Sequence, residues 1–161
     1  MLGRAMIELG WALAVQGHGE AGITQIHQAL DMLRVRGIPT QEGPYQLAEA
    51  YLHEGQAAEG LRVLPERPIG FWLKGELLLH QSPDHAPEAE ASFQQALAVA
   101  RRQEAKSLEL RAATSLARLW QQQGKTTEAR DLLAPVYHWF TEGFDTKDLQ
   151  EAKELIEELK H

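Results

Sequence analysis

The chain contains no cysteine. This excludes disulfide staples and thiolate metal ligands, and it removes the usual signature of a small secreted fold. Positive charge is also short: 16 Lys and Arg stand against 23 acids, a net charge of −7 with no basic stripe. Nucleic acid and anionic membrane are therefore poor partners for it. No apolar run nears the length of a membrane span. The N-terminal stretch MLGRAMIELGWALAVQG holds Ala-Leu-Ala at 12–14, but Glu8 interrupts it. Its apolar residues keep helical spacing, so it reads as a helix rather than a leader. A cytoplasmic location is expected. Aromatics are few, at 7% of 161 residues, and the four tryptophans are more often packing residues than ligand anchors in such a chain. What the chain does have is a 43% apolar content, enough for a real core.

The most regular stretch is SLELRAATSLARLWQQQGKTTEARDLL, residues 107–133. Ala113, Leu116, Ala117 and Trp120 fall at i, i+3, i+4 and i+7, and Ala129 and Leu133 follow four residues apart. Gly124 sits between the two sets. This is the spacing of a tetratricopeptide repeat, a helix–turn–helix unit that needs copies of itself to bury its apolar face. The pattern recurs. Met6, Leu9, Gly10, Leu13, Gly17, Gly22 and Ile26 form one copy. Pro44, Leu47, Ala48, Tyr51, Gly55, Gly60 and Leu64 form a second. Phe71, Gly75, Leu78, Ala89 and Phe93 form a third, with Lys74 where a leucine is expected. Small residues are expected where the paired helices cross, and a turn glycine takes positive φ without strain.

The expected fold is all-α: a right-handed TPR-like solenoid of about four helix pairs plus a C-terminal capping helix. One domain spans 1–161, with repeats near 4–36, 42–67, 69–104 and 107–141 and a cap at 146–160. The first partner helix runs from Ala21 to about Arg36, with IPTQEGP as the loop after Gly37. Pro65 and Pro68 should stop the second repeat's second helix near Leu64: this is either local degeneration of the repeat or a notch that a ligand could enter. HQSPDHAPEAE reads as a long surface turn with Pro87 near the next helix start. In the fourth repeat an apolar stripe from Ala129 to Phe140 contains Pro135, so a kink or early break is expected there. Thr126 or Thr127 should cap that helix, and Asp145 or Thr146 the last one. Leu149, Ala152, Leu155, Ile156 and Leu159 form one apolar side of the last helix, and its acids fall elsewhere. That is what a cap needs.

Three strings carry a closer likeness: KGELLL at 74–79, the stretch from Glu88 to Lys125, and LLAPVYHWFTEGFDTKDLQEAKELIEEL at 132–159. They resemble the C-terminal tetratricopeptide region of large bacterial signalling proteins that carry a class III nucleotide cyclase domain and an AAA/STAND-type ATPase domain. The resemblance implies a helical protein-binding or sensor module. It does not bring cyclase activity, since no cyclase or ATPase segment lies in these residues. The chain departs from it at 37–45 and 64–72, where it is shorter.

Catalytic and cofactor chemistry find little support. Gly124-Lys125-Thr126-Thr127 suggests a phosphate loop, but the motif needs a glycine at 119, where Leu stands, and a preceding strand. His80, Asp84 and His85 are metal-ligand types without ligand spacing. No enzyme, no cofactor and no metal are expected. In the family's architecture the first helix of each repeat lines a concave groove. This directs Ile7 and Trp11, Tyr45 and Glu49, Trp72 and Glu76, and Thr114 and Arg118 inward, with Arg4 and Arg111 one turn earlier. Glu49 and Glu76 stand where a carboxylate clamp of the family has amide or basic residues. An extended or helical peptide suits the surface better than a peptide terminus. The candidate partner-binding set is thus Arg4, Trp11, Tyr45, Glu49, Trp72, Glu76, Arg111 and Arg118. A small-molecule sensor using the notch by Pro65 is the alternative. The first helix is apolar nearly all round (Leu2, Met6, Ile7, Leu9, Trp11, Leu13) and starts at Met1 without a cap. Self-association, or cover by a further domain, is expected at that end.

Overall fold

The structure, a computed structural model, describes residues 2–65 and 70–160. Met1, Pro68 and the expected repeat limits at 67 and 69 lie outside the described residues. Every long element is helical, and no strand occurs among the described residues. The chain divides into two compact units, 1–85 and 86–161. The division falls inside the stretch expected to form the third repeat.

The first unit holds α1 (Leu2–Val15), α2 (Gly19–Val35), α3 (Gly43–His53), α4 (Ala57–Val63) and α5 (Phe71–Gln81). α1 and α2 cross at a pair of glycines. A Cβ on Gly10 would stand 2.8 Å from the Gly22 carbonyl oxygen, and one on Gly22 would stand 2.8 Å from the Ala14 nitrogen. Only glycine lets the two backbones come this close. Ile7, Ile23, Ile26, Leu33, Leu47 and Ala50 pack beneath that crossing. A second cluster, Ala48, Ala57, Leu73 and Leu77, joins α3, α4 and α5. α4 is only seven residues long, ending at Val63 as Pro65 requires.

The second unit holds α6 (Ala86–Arg102), α7 (Lys106–Gln122), α8 (Thr126–His138) and α9 (Lys147–Leu159). Phe93, Leu110, Leu116, Leu133 and Leu159 are its fully buried large side chains. Glu109 is buried with them at 6% exposure. Its charge is answered by Arg101 at 3.6 Å and Lys106 at 3.5 Å, as a buried carboxylate requires. The Lys106 ammonium also stands 5.2 Å from the Trp139 ring centroid, within cation–π range.

One turn recurs in both units. A residue just past the helix takes positive φ, and the next N–H closes back on the carbonyl five residues earlier. His18 donates to Leu13, Gln56 to Tyr51, Ala105 to Ala100 and Lys125 to Trp120, each at 2.8 Å. The left-handed residues are Gly17, Gly55, Glu104 and Gly124. This Schellman closure satisfies the carbonyl with backbone alone. The expected threonine caps are not used: Lys125, not Thr126 or Thr127, is the N-cap of α8, and no side chain caps it. Thr146 does hold the N-cap position of α9, again without a side-chain hydrogen bond.

Two other expectations are corrected. HQSPDHAPEAE is not a long loop: α5 runs to Gln81, a 3-10 turn covers Pro83–His85, and α6 begins at Ala86. Pro87 then lies in the first turn of α6, where its missing N–H costs nothing. Pro135 does not break α8, which continues to His138 with Leu133 and Val136 buried on either side of it.

Candidate interaction surface

The first unit brings α1 and α3 side by side. Arg4 donates from Nη2 to Glu42 Oε2 at 3.2 Å, and Trp11 donates from Nε1 to Glu49 Oε2 at 2.9 Å. Both rungs join residues 38 apart, so the helices run parallel in register. Arg4 also pairs with Glu8 one turn along, at 3.4 Å. Sequence reasoning missed Glu42, although the signal was present. Gly22 and Gly60 mark successive second helices 38 residues apart, and adding that interval to Arg4 and Trp11 gives Glu42 and Glu49.

Tyr45 and Trp72 serve packing as well as surface. Tyr45 is half-buried, with its ring against Gly70: a Cβ on Gly70 would lie 2.9 Å from Tyr45 Cε1. Its hydroxyl is buried and has no hydrogen-bond partner among the described residues. Trp72 packs against the cluster of Ala48, Ala57, Leu73 and Leu77. Glu76 is half-buried, and its carbonyl oxygen lies 3.0 Å from His80 Nδ1. Ile7, expected to face inward, is a core residue at 2% exposure. Tyr51 on α3 meets His27 Nε2 at 2.9 Å. Burial, then the nearby Glu59 carboxylate, pushes its hydroxyl above the ordinary tyrosine range, against the opposing pull of Arg62.

In the second unit Arg111 pairs with Asp148 at 3.2 Å, and Gln121 donates to Glu158 at 3.1 Å. Both join residues 37 apart. α9 therefore stands to α7 as α3 stands to α1: a further first-type helix, parallel and in register. Arg118 is exposed one helical heptad beyond Arg111. Thr114, also expected to face inward, is buried, and its hydroxyl donates to the Leu110 carbonyl at 2.8 Å. Trp120 is half-buried as packing predicts, and its Nε1 donates to Glu90 Oε1 at 2.9 Å. Asp148 and Glu90 were not foreseen as partners.

The polar groups on these faces thus answer one another. Each exposed ion pair contributes about 0–1 kcal/mol, so a partner could displace them at little cost. The backbone N–H of Lys125 closes the turn at Gly124 on the Trp120 carbonyl. Among the described residues no three His, Asp or Glu gather as a metal site, and no helix is long and apolar enough to cross a membrane.

These helix pairs define a fold built of TPR-like repeats. Two solved structures resemble the chain throughout. One is a protein of nearly identical TPR-like repeats from Podosopora anserina, described as a kinesin light chain. It is 20% identical, with a TM-score of 0.61 over 98% of this chain and 92% of that one. The other is a variant form of the same protein, 19% identical with a TM-score of 0.62 over the same shares. No family model and no curated protein matches the chain. At this identity the likeness speaks for the fold, and the fold is all-α and TPR-like.

Proposed function

We propose that the chain is a non-catalytic protein–protein interaction module that takes a peptide, extended or helical, against the face of its first-type helices. The observation that carries this reading is the α1–α3 ladder. Arg4, Glu42, Trp11 and Glu49 lie together on one face, exposed or half-exposed, in a fold that generally serves as a protein scaffold. Their ion pairs are cheap to open, and a half-buried indole is the kind of anchor that dominates peptide interfaces. Arg111 and Arg118 extend the same logic to α7. The sequence likeness to the tail of bacterial cyclase/ATPase regulators makes a cytoplasmic signalling protein the natural host. Sequencing the encoding locus tests that host directly.

The binding test is selection of a displayed random-peptide library on the folded chain. Trp11→Ala should then weaken the selected peptide about tenfold or more, and Glu157→Ala on α9 should leave it unchanged. Peptides that bind Trp11→Ala as tightly as the parent, with the melting temperature held, would remove the reading. Trp11 packs against the Ile7 and Ile26 core as Trp72 packs against the second cluster, so for Trp11→Ala, Tyr45→Ala and Trp72→Ala alike the melting temperature is read beside the affinity.

One observation supports a second reading, a small-molecule sensor. The Tyr45 hydroxyl is buried without a partner among the described residues, on a ring that lies against Gly70, and α4 is only seven residues long. A buried unpaired hydroxyl costs about 1–3 kcal/mol, which a ligand acceptor would recover. A thermal shift with one metabolite class, lost in Tyr45→Phe, would favour the sensor.

A further inference from the structure

The outer face of α1 carries Leu2, Ala5 and Leu9 in the open, with Ala12 half-buried beside them. Leu2 is 64% exposed and Leu9 is 55% exposed. The 38-residue register of the Arg4–Glu42 and Trp11–Glu49 rungs gives this face its meaning. It maps Ala5 onto Gly43, Leu9 onto Leu47 and Ala12 onto Ala50. On α3 all three are buried, Leu47 to 3%. They are covered by the α1–α2 pair. A Cβ on Gly43 would touch Leu30 and Ile7, and Leu47 and Ala50 share a core with Ile23, Ile26 and Leu33. α1 thus displays, exposed, the apolar pattern that α3 uses to dock on other helices.

We propose that this face is a self-association surface, on which α1 of a second copy packs antiparallel about a two-fold axis. The pattern is self-complementary in shape. Leu2, Ala5, Leu9 and Ala12 read large, small, large, small, and the reversed helix reads small, large, small, large. An antiparallel pair therefore sets Leu2 against Ala12 and Ala5 against Leu9, each knob over a small residue. The pattern is also self-complementary in charge. Arg4 and Glu8 lie one turn apart along one edge of the stripe. A two-fold axis brings that edge against itself in reverse, so each Arg4 meets the other copy's Glu8. A head-to-tail stack fits poorly, because the outer face of α9 is Gln150, Lys153, Glu154 and Glu157, all exposed. Setting those groups against Leu2 and Leu9 would bury charge without a partner.

The contact is one helix wide, at the small end of specific interfaces, so it should form only at high chain concentration. Sedimentation equilibrium to about 1 mM chain, the weak end of measurable affinity, should show a monomer–dimer equilibrium. Leu9→Glu should weaken it at least about tenfold without lowering the melting temperature, since Leu9 touches little within the chain. Because there is no native cysteine, pairing can be read directly. Mixed Ala5→Cys and Leu9→Cys chains should oxidise to the mixed dimer in preference to either homodimer. A chain that stays monomeric at that concentration overturns the proposal. So does association that survives Leu9→Glu, and so does efficient cross-linking of Leu9→Cys to Lys153→Cys, which would report an open stack. Peptide binding to Trp11 is read separately and does not depend on the outcome.

Discussion

α1 and α9 are both first-type helices at an end of their unit, and their outer faces are opposite in chemistry. α9 docks through Leu149, Ala152, Leu155, Ile156 and Leu159, all buried. The 37-residue register maps Ala113, Leu116, Ala117 and Trp120 of α7 onto Gln150, Lys153, Glu154 and Glu157. On α7 those positions are buried or half-buried, because a second helix packs on them. On α9 they are exposed and polar. A stack of this kind can be closed by changing only the residues that would meet the next helix and keeping those that dock on the previous pair. α1 shows the other condition, with apolar residues on both its docked and its outer face.

The sharpest test of this contrast compares two leucines at one station. Leu47→Ala should cost about 2–5 kcal/mol, and Leu9→Ala should stay within about 0.5 kcal/mol. Urea denaturation of both reads the difference, and equal losses would mean that the register mapping is wrong. The next test erases the contrast from the other end. Lys153→Leu with Glu157→Leu should leave the helical signal intact but make the chain associate through α9, raising its sedimentation-average mass with concentration. A third test concerns the turns. The first unit places glycine at each of its described left-handed residues, whereas the second spends one on Glu104, at φ 54°. Left-handed backbone costs a non-glycine residue about 1–2 kcal/mol. Glu104→Gly should therefore stabilise the chain by about 1 kcal/mol, less what glycine loses in chain entropy.

The smallest effect separates the stations of Tyr51 on α3 and Leu13 on α1. Burial and Glu59 hold Tyr51 protonated, so its folded pKa lies above its unfolded value. The stability this contributes is complete below about pH 10 and is lost as pH rises through the folded value. Tyr51→Phe cannot lose it. Wild-type and Tyr51→Phe urea midpoints should hold a constant difference up to about pH 9, with the wild type falling behind above pH 10.

Much of this architecture was legible because its punctuation is glycine. Gly17, Gly55 and Gly124 mark three turns in the sequence, and all three have positive φ. The α6–α7 turn has the same geometry but is hidden, since nothing about Glu104 announces a left-handed residue. Pro65 and Pro87 bound helices as expected, while the early break expected at Pro135 does not occur, because neighbouring Leu133 and Val136 anchor the chain by burial. The candidate face was legible in part. Trp11 does meet Glu49, while Arg4 meets Glu42, which sequence reasoning missed. Ile7 and Thr114 do not face outward, because the inward rule counts positions along one helix and cannot see which neighbour covers them. Tyr45 was read as a groove residue without knowledge that Gly70 would lie against its ring.

The two tryptophan–carboxylate bonds have an optical consequence. Trp11 holds Glu49 in the first unit, and Trp120 holds Glu90 in the second. An indole whose N–H is bound to a charged acceptor emits differently from one released into water. Each unit therefore carries its own fluorophore, placed where its helices meet. With Trp72 and Trp139 changed to phenylalanine, the emission of the remaining two would report whether the units melt in one step or in succession.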